Sequence, residues 1–150
     1  MKVILQRVSE ARVRIDDVVA GEIGAGLMIL FCAEDGDLEE SVERLAAKIS
    51  KLRIFADDAG KMNRCILDCA GSALIVSQFT LAANTSKGNR PSFIAAAAPD
   101  RGKQLYEQFC HAISNLGIPV ATGQFGADMQ VELINDGPVT IPLEIAATPL

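Results

Sequence analysis

Two short segments of this 150-residue chain place hydroxyl groups, carboxamides and a glycine beside apolar runs. Ser77-Gln78-Phe79-Thr80-Leu81 directly follows the apolar run 73–76, and Asn135-Asp136-Gly137-Pro138-Val139-Thr140 lies between two alternating stretches. Where a strand leaves its sheet, freed backbone N–H groups can point into a cleft and stabilise a developing oxyanion. The amides of Phe79 and Thr80 are therefore the first candidates for chemistry, although such a segment alone is also typical of a plain strand end.

Catalysis by a side-chain nucleophile has less support. Thr80 could attack a carbonyl carbon, but the sequence shows no base near it, and a Ser-His or Cys-His hydrolase needs a histidine beside its nucleophile. The single histidine, His111, falls on the polar side of a predicted helix. The sequence therefore favours stabilisation by backbone amides over a histidine-based triad.

The cysteines do not form a recognisable metal motif. Cys32, Cys65, Cys69 and Cys110 are spread along the chain without a C-x-x-C pair. Cys65 and Cys69 could in principle share a metal, but free cysteines are common in the cores of cytosolic proteins. We expect no metal, no disulfide and no cofactor.

The net charge of −5 argues against a protein that coats nucleic acid, because such binding depends on many Lys and Arg contacts to phosphate. Any nucleic acid must be held locally. Ser86-Lys87-Gly88-Asn89-Arg90-Pro91 is the one candidate loop, although its pattern is also typical of a solvated turn.

The chain is apolar for its size, with 49% hydrophobic residues, which favours burial of some surface against a second subunit. No run approaches the roughly 20 apolar residues of a membrane span. Charge interrupts the first residues too early for a signal peptide. We expect a cytoplasmic homo-oligomer.

Hydrophobic periodicity predicts mixed strands and two helices. Alternation over 11–15 followed by Asp16-Asp17 predicts an opening hairpin, and the apolar runs 27–33 and 72–76 predict buried strands. A first helix is expected to begin at Asp37 with Glu40 as its capping-box partner. A second helix is expected from Pro99-Asp100 to Gly117.

The end of the chain alternates on both sides of Asn135-Asp136-Gly137-Pro138, which predicts a hairpin or strand pair around a tight turn. Pro142 cannot donate a ladder hydrogen bond. Its strand should therefore lie at a sheet edge or an interface.

Several motifs occur in a fixed order along the chain. They are Gln6-Arg7-Val8, Lys51-Leu52-Arg53-Ile54-Phe55, Gly60-Lys61-Met62-Asn63, Ser77-Gln78-Phe79-Thr80-Leu81, Gly88-Asn89-Arg90-Pro91-Ser92-Phe93, Thr122-Gly123-Gln124-Phe125-Gly126-Ala127-Asp128-Met129 and Asn135-Asp136-Gly137-Pro138-Val139-Thr140. Over the whole chain this set resembles the D-aminoacyl-tRNA deacylases, formerly called D-tyrosyl-tRNA deacylases. The resemblance implies an α/β fold, in which a single β-rich domain over residues 1–150 has a curved, barrel-like mixed sheet flanked by two main helices and forms a homodimer.

The resemblance also implies an enzyme of translation quality control. It would hydrolyse the ester of D-aminoacyl-tRNA, and in many members that of glycyl-tRNA(Ala). Gly137 and Pro138 would form a Gly-cisPro pair inserted into the partner's site, where it rejects L-amino acids. The tRNA's own ribose hydroxyl would assist catalysis.

Site roles follow from the same resemblance. Ser77 and Gln78 would shape the catalytic pocket with the Phe79 and Thr80 amides, whereas Phe125 and Met129 would contact substrate. Independently of the resemblance, the acidic net charge fits a protein that touches only the tRNA end, and we hypothesise that Lys87 and Arg90 approach its phosphates. Two alternatives remain open: a non-catalytic dimeric module that binds aminoacylated tRNA ends, and a Ser/Thr esterase that cleaves simple esters without RNA.

Overall fold

The computed structural model describes residues 1–147, which form eight strands, two α-helices and one short 3₁₀ helix. The strands are β1 (Lys2–Ile15), β2 (Val18–Ile23), β3 (Gly26–Cys32), β4 (Phe55–Ala56), β5 (Met62–Arg64), β6 (Ser72–Ser77), β7 (Val120–Thr122) and β8 (Gln130–Glu144). The helices are α1 (Glu39–Lys51), the 3₁₀ helix (Phe79–Ala82) and α2 (Pro99–Asn115). Residues 148–150 lie outside the described part, and the single domain over 1–150 stays a prediction.

Six strands form one mixed sheet in the order β2-β1-β3-β6-β7, with β8 added along β1. The pairs β3–β6 and β6–β7 are parallel, and the others are antiparallel. The sheet curves so far that β2 approaches β7: a Cβ atom placed on Gly21 would lie 2.5 Å from the Thr122 carbonyl oxygen. The mixed α/β fold with a barrel-like sheet and two flanking helices is thus confirmed.

The core has two parts, one on each face of this sheet. The larger lies between the sheet and the two helices, where Phe31 of β3 stacks on Phe109 of α2 with ring centroids 4.8 Å apart. The smaller lies inside the curved sheet and includes Met28 of β3 and Leu74 of β6. Because β3 and β6 contribute to both parts, the prediction of two buried strands is confirmed.

The opening hairpin and the second helix also agree with their predictions. Asp16 and Asp17 have φ angles of 50° and 64°, which suits a tight turn between β1 and β2. Helix α2 begins at Pro99, and Gly117, just past its last turn, has a φ of 92°.

The start of the first helix was predicted wrongly. Helix α1 begins at Glu39, and neither Asp37 nor the preceding turn provides a side-chain cap. The Asp37 carboxylate is buried and accepts hydrogen bonds from the Met1 amino group at 2.9 Å and from Glu34 N at 2.7 Å. The Asp37 carboxylate thus binds a group that is distant in sequence and does not cap the helix as its local spacing predicts.

The predicted late hairpin is also wrong, because β8 is one continuous strand. Both of its halves pair with the 14-residue strand β1, and the segment with Gly137 and Pro138 bulges out between them. A long partner strand lets the ladder resume after the bulge, so the chain need not turn back. Strand β8 lies at an edge of the sheet, as Pro142 predicted.

Within residues 1–147, no helix is long and apolar enough to cross a membrane.

Candidate active site

The end of β6 exposes two backbone amides, as the sequence predicts. The sheet ladder ends where Gln78 N donates to Phe31 O at 2.7 Å, and the chain then turns into the 3₁₀ helix. Leu81 N donates to Gln78 O at 3.2 Å, which leaves the amides of Phe79 and Thr80 without an acceptor among residues 1–147. Two adjacent free N–H groups at a strand end are the geometry that can stabilise an oxyanion.

The Cys32 thiol contacts the backbone at the start of this turn. Its Sγ lies 3.6 Å from the Phe79 carbonyl oxygen and 3.5 Å from the Ala33 carbonyl oxygen. Burial raises the pKa of Cys32, and the negative charge of Glu34 raises it further. The thiol is therefore protonated and donates a hydrogen bond, which is the opposite of what a cysteine nucleophile requires.

Thr80 has a neutral partner. The Gln78 carboxamide Nε2 donates a hydrogen bond to Thr80 Oγ1. Because this nitrogen is a donor, it does not act as a base that removes the hydroxyl proton of Thr80. His111 lies elsewhere, in a groove between α1 and α2 beside Glu43 and Gln108. The chain therefore does not assemble a histidine-based triad at this site.

Two cavities adjoin Phe79, the first of the two residues with free amides, and share one wall, formed by Ser77, Gln78, Phe79, Phe125 and Gly126. Thr80 lines neither cavity. The first has a volume of about 290 Å³ and is otherwise lined mostly by apolar groups from β3, the segment before α2 and α2 itself. The second has a volume of about 310 Å³ and extends toward Asp128 and Met129.

The shared wall is held in place by Tyr106. Its hydroxyl is buried and donates to the Ile75 carbonyl oxygen of β6 at 2.6 Å, and its ring packs 5.9 Å from that of Phe125. Burial raises the pKa of Tyr106 above its ordinary value, so the hydroxyl keeps the proton that it donates. One residue of α2 thus fixes both sides of the wall.

Gly137 and Pro138 lie away from these cavities. They are exposed on the bulge of β8, where their peptide bond is cis and Gly137 has a φ of 141°. Arg7 holds the base of this bulge, since its Nε donates to Asp136 O at 3.0 Å and its Nη1 to Ile54 O at 2.8 Å. Neither Gly137 nor Pro138 lines a cavity next to the free amides of its own chain.

Lys87 and Arg90 are exposed on the loop that follows the 3₁₀ helix. Paired backbone hydrogen bonds of 2.8 and 2.9 Å between Asn84 and Ser92 close this loop. Neither basic side chain lines the two cavities. Their predicted tRNA contacts therefore stay predictions.

A family model described as D-Tyr-tRNA(Tyr) deacylase matches residues 4–144. The chain belongs to this deacylase family. A relative from Variovorax paradoxus, named D-aminoacyl-tRNA deacylase, is 60% identical over 146 residues and covers 97% of this chain and 100% of its own. The resemblance inferred from the motifs is thus confirmed, as is the prediction of an enzyme of the hydrolase class.

Solved structures agree with the fold. The c-Myc DNA Unwinding Element Binding Protein superposes with a TM-score of 0.93 and 37% identity, covering 98% of this chain and 100% of its own. A probable eukaryotic D-amino acid tRNA deacylase superposes with a TM-score of 0.82 over 96% of this chain and 98% of its own. At 21% identity, the second likeness concerns the fold alone.

Of the site residues predicted for this deacylase, Ser77, Gln78, Phe79 and Phe125 line both cavities, and Met129 lines the second. Thr80, although predicted with them, lines neither. Sequence reasoning missed Cys32 and Tyr106. The signal for Tyr106 was present, because it is the only tyrosine and falls beside the buried stripe of α2. Within residues 1–147, no three His, Cys, Asp or Glu side chains converge on a possible metal site. The expected absence of a metal stays a prediction.

Proposed function

We propose that the chain hydrolyses the ester bond of D-aminoacyl-tRNA and releases a free D-amino acid and tRNA. We extend the proposal to glycyl-tRNA(Ala), and we assign the reaction to the cytoplasm as a step of translation quality control. The observation that carries the proposal is the pair of unpartnered amides at Phe79 and Thr80, of which Phe79 lines both of the adjoining cavities. The family match and the names of close relatives support the same reaction.

Backbone amides are sufficient for this chemistry because an aminoacyl ester is already reactive. Attack on the ester carbonyl develops negative charge on its oxygen, and loss of one donor to such an oxyanion typically costs about 100- to 1000-fold in rate. We propose that the tRNA's own ribose hydroxyl supplies the assistance that a protein base would otherwise give. The neutral Gln78 partner of Thr80 and the protonated Cys32 thiol support this assignment.

The cavities suit a substrate with two chemically different parts. They share the wall that contains Phe125, and both are lined by Phe79, which has one of the free amides. We assign one cavity to the terminal adenosine of the tRNA and the other to the aminoacyl group. The ester that joins them then lies at the wall between the cavities, beside the Phe79 amide. Phe125 and Met129 then act as substrate-binding residues.

We further propose a homodimer in which Gly137 and Pro138 of one subunit enter the site of the other. Their exposure, and their absence from the cavities of their own chain, support this arrangement. The edge position of β8 and the 55% exposure of Ile134 beside the bulge favour burial against a second copy.

Such an arrangement explains selection by chirality. Backbone carbonyl groups of the inserted segment accept hydrogen bonds from the substrate's amino group and form a wall. An L-amino acid directs its side chain into the wall, whereas a D side chain points away and glycine has none. Selectivity then comes from rejection of the L substrate, and glycine passes by the same logic.

The decisive experiment is deacylation of one tRNA charged in parallel with D-tyrosine and L-tyrosine, and of alanine tRNA charged with glycine. We expect hydrolysis of the D and glycyl esters while the L ester is spared. Equal cleavage of D and L esters would indicate an unselective esterase. Tight binding without any cleavage would instead support the binding module.

Thr80→Ala is expected to keep kcat for a D-aminoacyl ester within about threefold of wild type. The variant removes the hydroxyl but leaves the backbone amide, which is the group that stabilises the oxyanion. Steady-state deacylation of D-tyrosyl-tRNA at saturating substrate measures kcat. Complete loss of turnover in a folded dimer would mean that Thr80 acts through its side chain.

Replacing both Lys87 and Arg90 by glutamate is expected to raise KM for charged tRNA about tenfold and to leave kcat nearly unchanged. The expectation follows because phosphate contacts contribute salt-dependent affinity and do not take part in the chemical step. The measurement is KM at two salt concentrations, with Lys61→Glu as the control, since Lys61 is also exposed but lies in the turn between β4 and β5. An unchanged KM and salt dependence would remove this loop from tRNA binding.

A further inference from the structure

The ladder between β1 and β8 is interrupted at the segment with Gly137 and Pro138. Gln6 pairs with Thr140 and Val8 pairs with Asn135, so that a single residue of β1 faces residues 136–139 of β8. Regular antiparallel pairing would match residues one to one. The backbone ladder therefore does not set the direction of the bulge, and side chains must do so.

The Asn135 carboxamide spans the bulge from one end to the other. Its Oδ1 accepts a hydrogen bond from Val139 N at 3.0 Å, and its Nδ2 donates to Thr140 Oγ1 at 3.1 Å. Gln6 Nε2 of β1 donates to the same Thr140 oxygen at 3.2 Å. These three hydrogen bonds tie the two ends of the bulge to each other and to the sheet.

Both partners of this arrangement are chemically specific. Thr140 Oγ1 accepts two hydrogen bonds, which uses both of its lone pairs. Asn135 presents an acceptor to Val139 N and a donor to Thr140 Oγ1, and its carboxamide supplies both.

These three hydrogen bonds, which together we call the clamp, act on Gly137 through Val139. The Val139 amide donates a hydrogen bond to Asn135, and Val139 is only 8% exposed. A Cβ atom on Gly137 would lie 2.8 Å from Val139 Cγ2 and 2.9 Å from Val139 N, so these two residues are already in close contact. Movement of Val139 is therefore transmitted directly to the Gly137 backbone.

We propose that Asn135, Thr140 and Gln6 are positioning residues that set the orientation of Gly137 and Pro138 and thereby the chiral selectivity of the site. The inference rests on the proposed function, because it assumes that this segment rejects L substrates. A displacement of about 1 Å in a positioning group can change a rate by 100-fold. A bulge that is less well ordered binds D substrates more weakly and excludes L substrates less strictly. Both effects lower the D-to-L ratio of kcat/KM.

The test compares Thr140→Val and Asn135→Ala with wild type. Valine has the shape of threonine but cannot accept either hydrogen bond. We expect the D-to-L ratio of kcat/KM, measured with D- and L-tyrosyl-tRNA, to fall at least about tenfold in both variants. Thr140→Ser keeps the hydroxyl and should restore the ratio, whereas Gln130→Ala, at an exposed end of β8, should leave it unchanged.

The outcomes separate the two proposals. If wild type does not distinguish D from L esters, the proposed function itself fails. If wild type does distinguish them and Thr140→Val keeps the same ratio, the positioning role is overturned, even if both rates fall together through lost stability. Melting temperature and dimer mass accompany each variant, and exposed Thr140 provides a substitution that tests the clamp even if Asn135→Ala does not fold.

Discussion

Gly137→Val is expected to lower kcat/KM for a D-aminoacyl ester by at least about 100-fold in a chain that still folds. Gly137 has a φ of 141°, which L side chains rarely adopt. A Cβ atom there would lie 2.8 Å from Val139 Cγ2, 2.9 Å from Val139 N and 3.2 Å from Arg7 Nη2. The bulge must therefore shift. Because Gly137 is exposed, we expect the core to remain intact, and in the proposed homodimer the loss falls on the partner's site.

Deacylation of D-tyrosyl-tRNA measures this loss, and circular dichroism and dimer mass report on the fold. Gly60→Ala is the matched control, because Gly60 also has a positive φ, of 78°, but has open space where its Cβ would lie. The control introduces a side chain at a positive φ angle without a steric clash, and it should stay active. A Gly137→Val dimer with wild-type rate and selectivity would exclude this segment from the site.

If the proposed homodimer forms, mixed dimers show in which subunit Gly137 acts. Ala96→Phe fills the apolar cavity and should inactivate the site of its own chain. If Gly137 serves the partner's site, an equal mixture with Gly137→Val recovers about a quarter of the wild-type sites, because half of the dimers are mixed and each has one complete site. If Gly137 serves its own chain, the mixture stays inactive.

Sequence periodicity predicted the elements that are held by local contacts. The hairpin at Asp16-Asp17 and the helix from Pro99 to Gly117 depend on neighbouring residues, and both occur in the structure. Asp37 did not follow its local pattern, because its carboxylate binds the Met1 amino group 36 residues away. The late hairpin failed for the same reason, since the long partner strand β1 is not visible in the sequence around residue 137.

The candidate site could be predicted only in part for a similar reason. The segment beginning at Ser77 stood out because a buried apolar run leads into it, but nothing local joins it to Phe125, which lies beyond α2 and β7. The sheet order brings β6 and β7 together and thereby forms the shared wall. The family resemblance named Phe125, which lines both cavities, whereas Cys32 and Tyr106 belong to none of the motifs and emerged only from their contacts.

Gly26→Ala is expected to lower the free energy of unfolding by about 3 kcal/mol or more, while Gly24→Ala leaves it nearly unchanged. The sequence Gly24-Ala25-Gly26 gives no reason to distinguish the two glycines. In the structure Gly26 has a φ of 156°, and a Cβ there would lie 1.8 Å from Ser72 O and 2.7 Å from Ser72 N. A Cβ on Gly24 would meet no atom within 4 Å.

The contact between Gly26 and Ser72 is backbone against backbone at the first pair of the β3–β6 ladder, so no flexible side chain can give way. The hydrogen bond from Ser72 N to Ala25 O, 3.1 Å long, must be distorted as well. Urea unfolding of both variants measures the difference. Equal stabilities would mean that β3 and β6 do not approach this closely. A loss of stability confined to Gly26→Ala would instead show that β6 depends on a close backbone contact at its first residue. The free amides follow the other end of this strand, so their position would depend on the same contact.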